Sequence, residues 1–187
     1  MQDFMTASNN DPASSPFRLN IGGTTPCDGW KILNIQPGDG VDYVGDCTDL
    51  RQFKDNSVDE VYASHVIEHL SYVNELLETL KGIHRILKPR GILRSSVPDF
   101  EMLCKMFLHP SLSAEQRFYI MNIVFGGQQD KHDYHKVGLT WEFMSSYLMQ
   151  AGFSSVKRVG EFSIFENDCS SIKIGGQLIS LNIEAVK

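Results

Sequence analysis

The sequence has no apolar run near the ~18 residues that a membrane-spanning helix needs, and its amino end lacks the basic and apolar stretches of a signal peptide. It also has no cluster of Lys or Arg, and 17 basic residues against 23 acidic ones give a net charge of −6. An acidic chain of this kind is a poor partner for nucleic acid or anionic membrane. We therefore expect a cytoplasmic protein with neither partner.

The four cysteines are widely spaced and form no CxxC pair, which favours reduced thiols over a disulfide framework. The 187 residues, of which 42% are hydrophobic, are enough for one domain with its own core. Residues 1–16 are polar and are predicted to form a disordered leader. Residues 17–187 are predicted to form the domain.

Short apolar segments that end at turn residues predict strands, and apolar positions spaced by three and four residues predict amphipathic helices. The predicted strands cover 17–21, 31–35, 41–44, 58–63, 92–97, 153–159 and 178–186, and the predicted helices cover 72–87, 100–107, 114–124 and a segment capped by Thr140. This alternation indicates an α/β, three-layer domain with a mostly parallel sheet. Only residues 23–30 separate the first two strands, so the first crossover helix is predicted to be shortened or absent.

Ligands of an open parallel sheet bind at the carboxyl ends of its strands. The residues that follow the predicted strands there are Gly22, Gly23, Gln36, Asp46, Cys47, Ser64, His65, Pro98 and Asp99. The GxGxxG fingerprint of dinucleotide-binding proteins is missing, which argues against NAD.

Several segments occur in a characteristic order. They are NIGG at 20–23, GDCTDL at 45–50, SVDEVYASHVIEHL at 57–70, HRILKPRG at 84–91 and LMQAGF at 148–153. In order and spacing the sequence resembles class I methyltransferases that depend on S-adenosylmethionine (SAM). More narrowly, it resembles a compact bacterial branch with a Gly-Gly-Gln loop, here at 126–128, and the resemblance extends over residues 18–187.

The resemblance implies a Rossmann-like sheet with an antiparallel carboxyl-terminal strand, and SAM as cofactor. It places Asn20, Gly22 and Gly23 beneath the methionine part of SAM, and Gln36 at the ribose. It places Asp46 and Cys47 at the adenine, with Ser64 and His65 beside the sulfonium.

The glycine-rich loop of the family is reduced to Gly22-Gly23, and Gln36 stands where an acidic residue usually binds the ribose. A neutral amide loses the added strength of a charged hydrogen bond. A non-catalytic cofactor-binding or scaffold domain is therefore the first alternative function.

The segment from His65 to His69 also fits HxxEH, the inverted motif of zinc peptidases. A zinc hydrolase with His65 and His69 as ligands and Glu68 as base is the second alternative. However, the motif begins at the end of a predicted strand, and the methyltransferase segment accounts for the same letters. We therefore predict no metal.

Residues 99–138 follow the fifth strand, where the resemblance places the pocket for the methyl acceptor. Within that insertion Phe118, Tyr119 and Phe125 are predicted to form walls. We predict His65, His132 and His135 as catalytic residues, because imidazole accepts a proton near neutral pH. His69, Asp99 and Tyr134 are the predicted contacts to a small-molecule or saccharide-like acceptor. A homodimer is also an alternative, since the last apolar strands can leave a free sheet edge that pairs with a second copy of the chain.

Overall fold

A computed structural model describes residues 15–166 and 168–187, so the predicted leader lies outside the described residues except for its last two. The strands are β1 Arg18–Ile21, β2 Trp30–Asn34, β3 Tyr43–Val44, β4 Val58–Ser64, β5 Leu87–Pro98, β6 Ser155–Val159, β7 Lys173–Ile174, β8 Gln177–Leu178 and β9 Ser180–Val186. The α-helices are α1 Glu75–Ile86, α2 Phe100–Phe107, α3 Ala114–Phe125 and α4 Trp141–Gln150, and 3-10 helices cover Ile67–His69 and Cys169–Ser171.

Seven of these strands form one sheet in the order β3-β2-β1-β4-β5-β9-β6. The pairs from β3 to β5 are parallel, whereas β9 runs antiparallel to both of its neighbours, β5 and β6. The strand order reverses between β1 and β4, which creates a crevice at their carboxyl ends. The predicted α/β sheet, mostly parallel with an antiparallel carboxyl-terminal strand, is confirmed.

Alternate residues of a strand point to opposite faces of the sheet, and the main core lies on one of these two faces. Leu19, Val61 and Leu93 are fully buried on this face. Helix α1 packs there through the stripe that contains Leu76 and Leu80, and α4 lies beside it. The predicted helix is therefore confirmed, but it begins at Glu75 with Asn74 as N-cap, three residues later than the sequence pattern predicts.

The crossovers on either side of β2, residues 22–29 and 35–42, contain no helix, which confirms the prediction for the first of them. The opposite face is covered near β4 by a segment from much later in the chain. The buried ring of Tyr62 packs against Phe162 and Phe165, and Phe165 also contacts Trp30. The β6–β9 connection thus replaces part of a missing helical layer.

Helices α2 and α3 form a smaller unit with the hairpin β7–β8, around buried Leu103, Ile120 and Ile179. Asp99 caps α2, and Ser113 with Gln116 forms a capping box at the start of α3. None of the helices in the described part of the chain has the length and apolar character that spanning a membrane requires.

Candidate active site

Two adjoining cavities open at the carboxyl ends of β1, β2 and β4, and both include Ile21 and Gly22. The first, of about 290 Å³, lies between the strand ends and residues 131–136. The second, of about 310 Å³, lies between β1, β4 and the later residues Phe165, Glu166, Asp168 and Cys169. This is the crevice in which ligands of open α/β sheets bind.

The loop after β1 separates the two cavities, and its backbone depends on two glycines. Gly22 has φ +80°, and a Cβ atom there would overlap the side chain of Val66. A Cβ atom on Gly23 would overlap the amide of Asn20. The Asn34 amide donates a hydrogen bond to the carbonyl of Gly23 at 2.9 Å, which ties the loop to the end of β2. The bare backbone of this loop is therefore available to a ligand.

The first cavity includes the predicted adenine contacts Asp46 and Cys47, together with Asn34 and Ile35 from the end of β2. Burial, assisted by the charge of Asp46, raises the pKa of the Cys47 thiol to about 12. Gln36, the predicted ribose contact, is exposed and does not line either cavity. Its backbone N–H donates to Oδ1 of Asn34, and the two residues before it, Asn34 and Ile35, line the first cavity instead.

The second cavity is lined by Ser64, which is a predicted neighbour of the sulfonium, and by Asp168, an acidic residue that could not be identified from the sequence. Asp168 accepts hydrogen bonds from the Tyr62 hydroxyl, from the Ser64 hydroxyl at 3.1 Å and from the backbone of Ser170 at 2.9 Å. Burial and this bond to Asp168 raise the pKa of Tyr62 above its ordinary range. The carboxylate is thereby held in one orientation at the cavity.

A cluster of three histidines surrounds Glu68 just beyond β4. His65 has φ +52°, and its Nδ1 lies 3.5 Å from Oε1 of Glu68. Nε2 of His135 lies 3.9 Å from the same oxygen, and the rings of His69 and His135 meet edge to face at 4.7 Å. The HxxEH segment therefore lies next to His135, which is 70 positions after His65 in the sequence.

Burial determines the charge of this cluster, since it penalises the ionised form of each group. It lowers the pKa of His65 to about 4, with a further contribution from His135, and it raises the pKa of Glu68 to about 8. Burial also lowers the pKa values of His69 and His135. The imidazoles are therefore uncharged at neutral pH.

The loop between α3 and α4 is folded back on itself and attached to this cluster. The backbone of Gln128 donates to the carbonyl of Asp133 at 2.9 Å, and Gly126, with φ +82°, leaves no room there for a side chain. The backbone of Lys136 donates to the carbonyl of Glu68 at 2.8 Å. The Gly-Gly-Gln segment thus shapes the loop that borders the first cavity.

Some predicted acceptor residues lie at the first cavity and others do not. His65, His69, His132 and Tyr134 line it, whereas His135 faces Glu68 behind the lining. Asp99 lies outside both cavities and is only 4% exposed. Its carboxylate accepts hydrogen bonds from the backbone N–H of Met102 in α2 and from the side chain of Arg158 in β6. The side chain therefore connects these two elements.

The predicted walls Phe118, Tyr119 and Phe125 are more than half exposed and lie outside the linings of both cavities. Of the predicted insertion 99–138, only residues 131–136 reach the first cavity. The reason is that α2 and α3 pack on the hairpin β7–β8 rather than on the strand ends.

Comparison with known proteins agrees with this architecture. Residues 31–94 match the sequence profile of a family described as a methyltransferase domain. A search of curated proteins found no match.

Three similar solved structures are SAM-dependent methyltransferases. The protein from Thermotoga maritima is 20% identical with a TM-score of 0.55, over 94% of this chain and 84% of that one. The protein from Mesorhizobium loti is 16% identical with a TM-score of 0.56, over 95% and 93% of the two chains. The protein from Archaeoglobus fulgidus is 18% identical with a TM-score of 0.57, over 92% and 86%. At these identities the likeness concerns the fold.

Proposed function

We propose that the chain is a class I SAM-dependent methyltransferase and that it methylates a hydroxyl or amine of a small or saccharide-like acceptor. The observation that carries the proposal is the pair of cavities that meet at Gly22. A ligand that crosses the loop after β1 would have one end in each of them.

We assign the methionine end of SAM to the second cavity. Its ammonium group requires acidic partners, and Asp168 and Glu166 both line this space. Asp168 is held by three hydrogen bonds, so a cation there would need little reorganisation of the carboxylate. The adenosine end then lies in the first cavity, beside Ile35 and Asp46.

The acceptor would occupy the part of the first cavity bordered by His65, His69, His132 and Tyr134. The whole cavity is about 290 Å³, close to the lower end of the ~300–1,000 Å³ typical of ligand pockets, and the adenosine end of SAM would fill part of it, so the remaining space favours a small acceptor. Its hydroxyl, imidazole and ammonium groups suit a polar molecule, and Tyr134 offers a ring face to a sugar.

Methyl transfer requires the nucleophile, the methyl carbon and the sulfur to lie in line, so positioning supplies most of the catalysis. We assign proton acceptance from the acceptor to His132, which lies on the loop side of the cavity. His65 contacts the Ser180 hydroxyl at 3.3 Å and would border the sulfonium as a neutral group. We assign a positioning role to His135.

Isothermal titration calorimetry with SAM tests the cofactor assignment. We expect Asp168→Asn to weaken binding at least about tenfold, because a hydrogen bond to a charged group contributes ~1.5–3 kcal/mol. Asp28→Asn, at an exposed carboxylate outside both cavities, is the matched control and should bind as the unmodified protein does.

Transfer of a labelled methyl group to a panel of small alcohols, amines and saccharides tests the acceptor class. We expect turnover with at least one member and its loss in His132→Ala with SAM binding retained. Binding without turnover on any member would refute the acceptor class, and no binding at millimolar SAM would refute the whole assignment.

A further inference from the structure

Glu68 carries a buried carboxyl group without a hydrogen-bond partner in the part of the chain that the structure describes. The residue is 1% exposed, and both of its carboxylate oxygens lack a partner among the described residues. Burying an unpaired carboxylate costs several kcal/mol, so the group requires either a bound proton or a cation. Nothing in the methyl-transfer assignment above uses this side chain.

Two imidazole nitrogens lie next to this carboxyl group. One potential ligand atom each from Glu68, His69 and His135 lies within 4.8 Å of the others. Ligands of a tetrahedral Zn²⁺ at ~2.0–2.1 Å are about 3.4 Å apart. The distance of 3.9 Å from Glu68 to His135 is close to this value, and small side-chain rotations would close the remaining gap. Nδ1 of His69 is also buried without a partner among the described residues.

We propose that Glu68, His69 and His135 bind one divalent transition-metal ion of the Zn²⁺ type. Two imidazole nitrogens and one carboxylate oxygen favour such an ion over Mg²⁺ or Ca²⁺, which prefer oxygen ligands alone. This set differs from the HxxEH interpretation, because Glu68 is a ligand rather than a base and His135 replaces His65.

The ion would fasten the loop of residues 126–138 to the end of β4. The backbones of Lys136 and Val137 already donate to the carbonyl of Glu68, so the loop passes close to the site. A metal would add a side-chain link between the same two segments. Since His69 and the neighbouring loop residues line the first cavity, this link would stabilise one wall of it.

Titration of chelator-treated full-length protein with Co²⁺ tests the proposal, because Co²⁺ bound by nitrogen and oxygen ligands gives visible absorption bands. We expect one equivalent to bind, Zn²⁺ to displace it and the metal to raise the Tm. Glu68→Gln and His135→Gln should weaken Co²⁺ binding by more than about 100-fold, the upper end of what loss of an indirect partner costs. His109→Ala, at an exposed histidine between α2 and α3, should bind normally.

Circular dichroism establishes that each variant is folded, and His69→Gln replaces either variant that is not. The proposal is refuted if the unmodified protein binds no Co²⁺ or Zn²⁺ at 100-fold molar excess. It is equally refuted if folded Glu68→Gln and His135→Gln retain the bound equivalent, or if His109→Ala loses it. These outcomes are independent of SAM binding.

Discussion

Replacing Gly22 with Ala perturbs the loop that separates the two cavities. The residue has φ +80°, and the new methyl group would lie closer than 3.0 Å to the Val66 side chain. Gly176 is the matched control, because it has φ +81° and nothing lies within 4 Å of a Cβ atom built on it. The two substitutions therefore share the backbone effect and differ in the overlap.

The magnitudes follow from these two contributions. A left-handed conformation costs a residue with a side chain ~1–2 kcal/mol. Relieving the overlap requires Val66 or the loop to move by about 1 Å, which costs ~1–3 kcal/mol in a packed region. The unfolded-chain effect of Gly→Ala is the same at both sites and cancels. We expect Gly22→Ala to lose ~1–3 kcal/mol more unfolding free energy than Gly176→Ala.

Urea unfolding measures both losses, and calorimetry with SAM measures the functional effect. Because the moved loop is the assigned contact for the cofactor, SAM affinity should fall at least about tenfold in Gly22→Ala and not in Gly176→Ala. Equal losses of stability in the two variants would refute the packing argument. Unchanged SAM affinity in a folded Gly22→Ala variant would refute the role of the loop.

Cys47 should react with iodoacetamide at least about tenfold more slowly in the native protein than in urea, because burial raises its pKa from 9.0 to about 12 and the higher nucleophilicity of a more basic thiolate offsets only part of this effect; peptide mapping showing equal rates would contradict this. Burial opposes ionisation of Glu184, but hydrogen bonds from Lys157 and Arg94 leave its pKa below the ordinary 4.5. Its ionised form therefore stabilises the fold above that pH, and the stability difference from Glu184→Gln should shrink as the pH falls below 4.5, measured by urea titrations. Asp99→Ala should cost ~1–2 kcal/mol through loss of the α2 N-cap, and an unchanged urea midpoint would exclude that role.

The parts of the site that follow directly from strand ends could be predicted from the sequence. Gly22, Asp46 and Ser64 each come just after an apolar segment, and parallel strands bring their carboxyl ends to one edge of the sheet. The absent first crossover helix was also predictable, because eight residues are too few to contain one.

Other parts depend on long-range packing that no local pattern records. Asp168 lies 104 positions beyond Ser64, and it reaches the site because residues 162–166 and 168–172 cover the face left open by the missing helices. Asp99 follows a strand as the binding residues do, yet its side chain caps the helix that begins at the next residue. His135 meets Glu68 only because the glycine-rich loop folds back on itself.

A crystal structure of the protein with S-adenosylhomocysteine bound is the most direct test of the cofactor assignment. We expect electron density that passes over Gly22, with the ammonium group next to Asp168 and the adenine in the first cavity beside Asp46. Density confined to one of the two cavities, or bound elsewhere on the molecule, would contradict it.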